Sequence, residues 1–167
     1  MSRRPQPRTG FTMLEIIVVI VVLGILSAII AGVGSFMDVT VSSQAGVLRD
    51  DIRYVQIRAM RSGAVFGLKS NGTALWMFAG TNPDSAAARL PLPGEVALSV
   101  VLTDKGIGLN AFTLFFDSAG RPYSAYSSPT VNTPVSGASP LALQVSRAGG
   151  GGGNQTLSIT PETGFVP

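Results

Sequence analysis

A candidate cleavage site and a lone carboxylate lie close together near the N-terminus. Gly10 and Phe11 follow a short basic segment. Glu15 comes four residues after Phe11 and is the only charged residue between Arg8 and Asp38. Cleavage after Gly10 would leave a free amino group on Phe11. Opposite charges within ~4–6 Å favour the ionised form of both groups, so this amine could neutralise Glu15 in an apolar environment.

Two interpretations of Glu15 are open from the residues alone. A carboxylate in the first turn of a helix is favoured by the helix dipole, which would describe an ordinary membrane anchor with an acid near its end. In the second interpretation, Glu15 pairs with the Phe11 amine of a neighbouring subunit. That pair would fix the stagger between packed helices, because breaking a buried charge pair is strongly destabilising. The joint occurrence of a basic leader, Gly, Phe and an acid favours the second.

The element that positions these groups is an apolar segment, residues 11–37, predicted to be a transmembrane and assembly helix. A bilayer core needs about 20 helical residues, and Glu15 is the only charged residue in this segment. Residues 1–10 hold three arginines and no acid. The positive-inside rule therefore predicts a cytoplasmic N-terminus and a C-terminal domain on the far side of the membrane.

Composition excludes several kinds of chemistry. The chain has 167 residues and neither Cys nor His, which removes disulfides, thiol nucleophiles and the commonest general base. Three aspartates, at 84, 104 and 117, could bind Ca²⁺ only if other oxygens converged on them. We therefore predict a protein that is not an enzyme and has neither a cofactor nor a metal site.

The rest of the chain predicts an α+β fold. Residues 38–63 continue the helix in amphipathic form, since apolar residues recur at spacings of three and four. This apolar stripe consists of Val41, Ala45, Leu48, Ile52, Val55 and Ala59. From residue 64 the period changes to two, which is typical of strands. The close spacing of these segments predicts an antiparallel β domain over residues 64–167.

Individual strands are predicted from short runs rich in Val, Leu, Phe and Thr. The predicted strands are residues 64–69, 74–79, 96–102, 111–116, 141–146 and 156–160. Asn71-Gly72 between the first two predicts a tight hairpin turn. Residues 81–94 and 127–140 are predicted to be loops.

A basic set on the second half of the helix raises the question of nucleic acid. Its members are Arg49, Arg53, Arg58 and Arg61, and arginines of this kind could touch DNA phosphates. Asp50 and Asp51 interleave with the set, and no cluster of aromatic residues accompanies it. Outside the leader, nine basic and nine acidic side chains balance. We therefore favour a solvated helix surface over a nucleic-acid interface.

The sequence Gly-Phe-Thr-Met-Leu-Glu-Ile at residues 10–16, followed by an apolar helix, resembles the signal of type IV pilins and type II secretion pseudopilins. The resemblance implies cleavage after Gly10 by a prepilin peptidase and N-methylation of Phe11. It also implies that Glu15 serves in assembly. The expected partners are other pilins or pseudopilins, met through the N-terminal helix, and an inner-membrane assembly platform. Met13 stands where Leu or Ile is commoner.

Later segments resemble H-type minor pseudopilins and FimT-like minor pilins. They are residues 48–61, Phe-Asp-Ser-Ala-Gly at 116–120, and 157–164. This resemblance implies a domain of two packed sheets on the C-terminal half of the helix. It also implies a minor subunit near the tip of a periplasmic or surface fibre, where it helps to start assembly. The alternative it implies is a DNA-binding FimT-like minor pilin that works in DNA uptake.

The first prediction concerns processing. When the chain is expressed together with a prepilin peptidase, we expect the mature protein to begin with N-methylated Phe11. N-terminal sequencing and intact mass measure this directly. A different first residue would refute the processing site.

Overall fold

The computed structural model describes residues 12–150 and 153–167, without the side chains of residues 29–40. The predicted leader 1–10 and the predicted new N-terminus, Phe11, lie outside the described residues. The chain divides into two compact units, Met1–Phe36 and Met37–Pro167. In the described part of the chain, no helix combines the length and the apolar character needed to cross a membrane. The predicted membrane segment, residues 11–37, extends beyond the residues that the structure fully describes. It includes residue 11, which lies outside the described residues, and residues 29–37, whose side chains are not described.

A single helix, α1, covers Met13–Ser62. Thr12 caps its N-terminus, because the Thr12 Oγ1 accepts a hydrogen bond from the Glu15 backbone N–H at 3.3 Å. The helix ends where Gly63 adopts a φ of 65°, a left-handed conformation that glycine takes at low cost. The predicted helical segments 11–37 and 38–63 are therefore one continuous element, and the predicted end at Ser62-Gly63 is confirmed.

Ten strands follow, and they differ in part from those predicted. They are β1 (Phe66–Ser70), β2 (Ala74–Ala79), β3 (Arg89–Leu90), β4 (Val100–Val101), β5 (Ile107–Leu109), β6 (Phe112–Phe116), β7 (Pro122–Ser128), β8 (Val131–Pro134), β9 (Ala142–Arg147) and β10 (Gln155–Ser158). The predicted strand 96–102 is wrong for most of its length, because residues 96–99 form no strand and Leu102 begins a 3₁₀ helix, Leu102–Lys105. The predicted loops 81–94 and 127–140 are also wrong in part, since they contain β3 and β8.

The strands form two antiparallel sheets, which confirms an α+β layout. The larger sheet has seven strands in the order β3-β2-β1-β6-β7-β8, and β4 pairs with β2 beside β3. The smaller sheet has the order β10-β9-β5. Each sheet therefore joins strands that are distant in sequence, such as β1 with β6 and β5 with β9.

The predicted hairpin between β1 and β2 forms, with its turn displaced by one residue. The Asn71 backbone N–H donates to the Ala74 carbonyl at 3.2 Å, so that Gly72 and Thr73 are the central residues. Gly72 has a φ of 94°, which suits glycine. The Asn71 side chain closes the turn, because its Oδ1 accepts hydrogen bonds from the N–H groups of Thr73 and Ala74.

The apolar stripe of α1 lies in the main core. All six predicted stripe residues are at most 3% exposed, and they pack in one cluster with side chains of both sheets. A second cluster is aromatic and lies within the larger sheet. It contains Trp76, Phe78, Phe115, Tyr123 and Tyr126. Trp76, Phe78, Phe112 and Phe115 are all at most 7% exposed, with Phe112 in the main core and the other three in this second cluster.

The second prediction tests this core. Ile52→Ala should lower the free energy of unfolding by about 2–5 kcal/mol, because Ile52 is 0% exposed and its loss leaves a cavity. Ile57→Ala is the matched control. Ile57 lies on the same helix at 48% exposure, so the change should stay within about 0.5 kcal/mol. Urea unfolding of the full chain in detergent, followed by the fluorescence of Trp76, measures both. Equal effects would contradict the proposed packing.

Candidate functional site

Glu15 lies in the exposed first turn of α1. Thr12 and Glu15 have the Thr-x-x-Glu spacing of a helix capping box, and the Thr12 half of that motif is present. The Glu15 backbone N–H also lies 3.1 Å from the Thr12 carbonyl oxygen. Within the described residues, the Glu15 carboxylate itself forms neither a hydrogen bond nor an ion pair. The Thr12 cap therefore holds Glu15 in the first turn of α1, and its carboxylate has no ionic partner among the described residues.

The surroundings of Glu15 are apolar and uncovered. Large apolar side chains from Met13 to Leu26 are between 47% and 84% exposed. They lie on every side of the helix, a pattern found in helices that become fully buried. Apolar surfaces of this extent mark interaction sites. Glu15 would thus be carried into any apolar interface that this helix enters, and would need a positive partner there.

Comparison with models of known protein families gives a match that includes Glu15 and the start of α1. Residues 6–31 match the prokaryotic N-terminal methylation motif. The chain carries the N-terminal motif of type IV pilins and pseudopilins. That motif implies a type IV pilin-like or pseudopilin subunit, processed by a prepilin peptidase and assembled with other pilins. It also suggests inner-membrane anchoring before fibre assembly. No curated protein and no solved structure matches the chain.

The match includes the three residues predicted for processing and assembly, Gly10, Phe11 and Glu15. Of these, the structure describes only Glu15, so the juxtaposition of amine and acid remains a prediction. The match ends at residue 31 and therefore says nothing about the β domain. Support for a pilin or pseudopilin subtype can therefore come only from features of the β domain.

The four arginines considered for DNA contact do not form one row on the pilin-like helix. At 3.6 residues per turn, their positions spread over about half of the helix circumference. Arg53 donates to the Val166 carbonyl at 3.3 Å and lies over the ring of Phe165. Arg58 donates to the Tyr54 hydroxyl at 2.8 Å.

The other two arginines have different environments. The Nε of Arg49 is buried and has no hydrogen-bond partner among the described residues. Arg61 is exposed in the last turn of α1. Arg58 and Arg61 thus line one shallow pocket, whereas Arg49 and Arg53 lie outside it, and Arg53 and Arg58 bind groups of their own domain.

Asp117 organises the turn between β6 and β7. Its Oδ1 accepts the N–H groups of Ala119 and Arg121, both at 2.9 Å, and its Oδ2 accepts from the Arg121 guanidinium and the Tyr123 hydroxyl. Burial by itself raises the pKa of Asp117, but the hydrogen bonds from Arg121, Tyr123 and Ala119 outweigh it and hold the pKa below its usual value. The role of Asp117 is therefore to shape the turn.

Within the described residues, no group of three or more His, Cys, Asp or Glu side chains is placed to hold a metal ion. Of the three aspartates considered for Ca²⁺, Asp84 forms an ion pair with Lys69 at 2.6 Å. Asp117 forms one with Arg121 at 2.9 Å. Both carboxylates are therefore bound within separate parts of the domain.

Gln56 ties together three segments that are distant in sequence. Its Nε2 donates to the Gly120 carbonyl at 2.8 Å and to the Thr163 carbonyl at 2.6 Å. Residues 48–61, 116–120 and 157–164 thus meet at this one side chain. Gln56 lies outside the apolar stripe of α1, so no local sequence pattern marks it.

Asp51 is a functional candidate that sequence analysis missed, since it counted only as an acid among arginines. It is 8% exposed. Burial, together with the charges of Glu95 and Asp50, raises its pKa to about 7, and Lys105 opposes the shift. The sequence feature that could have indicated its burial is its position next to Ile52, at the edge of the apolar stripe.

The third prediction follows from Asp51. Because its pKa rises from 3.8 to about 7 on folding, the folded state binds the proton more tightly over that interval. The free energy of unfolding should therefore fall as pH rises from about 4 to about 7, by on the order of 1 kcal/mol per pH unit. Asp117 acts in the opposite sense and at lower pH, because its stabilising effect is lost as pH falls below 3.8.

Urea unfolding at a series of pH values measures this contribution. Asp51→Asn should flatten the slope between pH 4 and 7 and stabilise the protein at neutral pH. The control is Asp50→Asn, since Asp50 is its exposed neighbour with a side chain 79% accessible. An unchanged slope in the Asp51 variant would refute the burial of a titrating acid.

Proposed function

We propose that the chain is a minor pseudopilin or minor pilin, a non-catalytic subunit of a type II secretion or type IV pilus fibre. The observation that carries the proposal is the methylation motif over residues 6–31, with Glu15 held in the first turn of an exposed apolar helix. A helix followed by a small antiparallel domain is consistent with such a subunit. The subunit would be inserted in the inner membrane with its C-terminal domain in the periplasm, and later drawn into the fibre.

Assembly would depend on the charge of Glu15. Transfer of α1 from the membrane into a bundle of similar helices keeps its apolar residues buried, but it leaves the carboxylate in a medium of low dielectric. An unpaired charge there costs far more than in water. The methylated amine of Phe11 in a neighbouring subunit supplies the countercharge, and only one axial offset between the helices allows the contact. The ion pair thus selects the register of the fibre.

Placement among the H-type pseudopilins and FimT-like pilins is supported by the β domain. The three segments that carry this likeness meet at Gln56, so the likeness concerns one connected region rather than scattered positions. Subunits of this kind would sit near the fibre tip and help to start assembly. The expected contacts are other pilins or pseudopilins, the prepilin peptidase and the inner-membrane assembly platform.

The alternative, a minor pilin that binds DNA through Arg49, Arg53, Arg58 and Arg61, has weaker support. A row of cations facing the phosphate backbone is what electrostatic DNA binding uses. Here Arg53 and Arg58 bind groups of their own domain, and Asp50 lies 3.9 Å from Arg53. Asp50 offsets part of the positive charge of this helix face, and the four arginines do not present one row to a phosphate backbone.

The fourth prediction tests the assembly role. Glu15→Ala should remain in the membrane fraction at the normal level and fall at least about tenfold in sheared fibres, because the Phe11 amine of a neighbour would then lack its partner. Thr12→Ala is the control, since it removes the helix cap and keeps the acid. It should enter fibres normally.

Quantitative immunoblots of membrane and fibre fractions measure both variants. Normal incorporation of the Glu15 variant would refute the assembly role. Equal loss of both variants would assign Glu15 to helix capping alone.

A further inference from the structure

The β domain contains a cavity of about 130 Å³ beside α1. Its walls are mainly apolar and come from α1, β2, β4, β5, the 3₁₀ helix and the loop before β4. The polar lining residues are Gln44, Asp51, Glu95 and Lys105. The main lining residues are Leu75, Leu92, Leu102, Ile107 and Leu109. Protein interiors are close-packed, and a single water needs only about 10–15 Å³ of such space. The cavity is therefore large enough to receive part of a side chain.

One charged side chain on the cavity wall has no partner. Asp51 lines the cavity at 8% exposure, and no described residue forms a hydrogen bond or an ion pair with its carboxylate. A buried polar group left in this state costs stability. Sites that destabilise the free protein in this way are candidates for binding.

Once Asp51 is ionised, above a pH of about 7, the neighbouring charges leave its negative charge uncompensated. The Glu95 carboxylate and the Lys105 ammonium also line the cavity, and they pair with each other at 2.6 Å. Two acids thus share one cation, and Asp50 adds a further negative charge nearby. The cavity therefore combines apolar walls with an unmatched carboxylate, which is complementary to a cation on an apolar stem.

We propose that this cavity is a docking site for one lysine side chain of a partner protein. The methylene stem would lie between the leucines, and the ammonium would meet the Asp51 carboxylate. Lysine fits this description because it carries a compact charge on a flexible four-carbon stem and buries that stem readily. Arginine fits less well, since its planar guanidinium presents five donors and the cavity offers one free carboxylate.

Two observations identify the source of the lysine as another protein. The loop that follows the lining residue Glu95 exposes Val96 at 98% and Leu98 at 50%, and exposed apolar side chains of this kind suit contact with a protein surface. A second copy of this chain is a poor source, because the chain has only two lysines. Both are already paired, Lys69 with Asp84 and Lys105 with Glu95.

The test uses the full chain in detergent micelles and lysine blocked by N-acetylation and C-amidation, so that only the side-chain amine is charged. Methyl NMR should give saturable shifts at Leu92, Leu102 and Ile107, with affinity on the order of millimolar for so small a probe. Blocked norleucine has the same stem without the ammonium and should bind at least tenfold more weakly. Blocked arginine should also bind more weakly than blocked lysine.

Variants separate the proposed contact from general charge effects. Asp51→Asn should abolish the preference for lysine over norleucine, whereas Asp50→Asn should retain it. Melting curves check that each variant is folded, and Val100→Phe provides a second variant that occludes the cavity and should remove binding of both probes. The lysine preference should also grow from pH 5 to pH 8 as Asp51 loses its proton.

Equal binding of lysine and norleucine, a preference that survives Asp51→Asn, or the absence of saturable shifts would each overturn the proposal. The result is independent of the fibre assay with Glu15→Ala, because that variant leaves the cavity intact. Failure of one proposal therefore leaves the other standing.

Discussion

The β domain depends on the burial of one stripe of α1. Six apolar side chains at spacings of three and four are almost fully buried, and they form a single cluster with residues of both sheets. The smaller sheet has only three strands and would be marginal in isolation. The helix supplies the apolar surface that both sheets share, so helix and sheets are expected to lose their order together.

Three carboxylates illustrate how the local environment decides the role of an acid. Asp117 accepts four hydrogen bonds at 2.9–3.0 Å and is stabilised in its charged form. Asp51 is buried without such donors, and its pKa is raised. Glu15 lies on an exposed apolar helix, where its charge is harmless in water and costly once the helix is covered. The first shapes a turn, whereas the carboxylates of the other two form no ion pair within the part of the chain that the structure describes.

The parts of the fold with a long repeated pattern could be predicted from the sequence. The helical stripe spans five turns, and every member was assigned correctly because the spacing alone determines the buried face. Strands β3, β4 and β5 have two or three residues each and carry no measurable period. Their strand conformation comes from pairing with partners far along the chain, such as β5 with β9. The same reason explains Asp51, since Glu95 and Lys105, whose charges act on it, lie more than forty residues further along the chain.

The cavity beside α1 also affects the volume of the protein. Unfolding eliminates internal voids, so the unfolded chain occupies less volume than the folded one, and hydrostatic pressure shifts the equilibrium toward it. A cavity of about 130 Å³ between apolar side chains adds to this volume difference wherever water does not fill it. A group that fills the void would remove part of that volume difference, so the liganded domain would tolerate higher pressure than the free one.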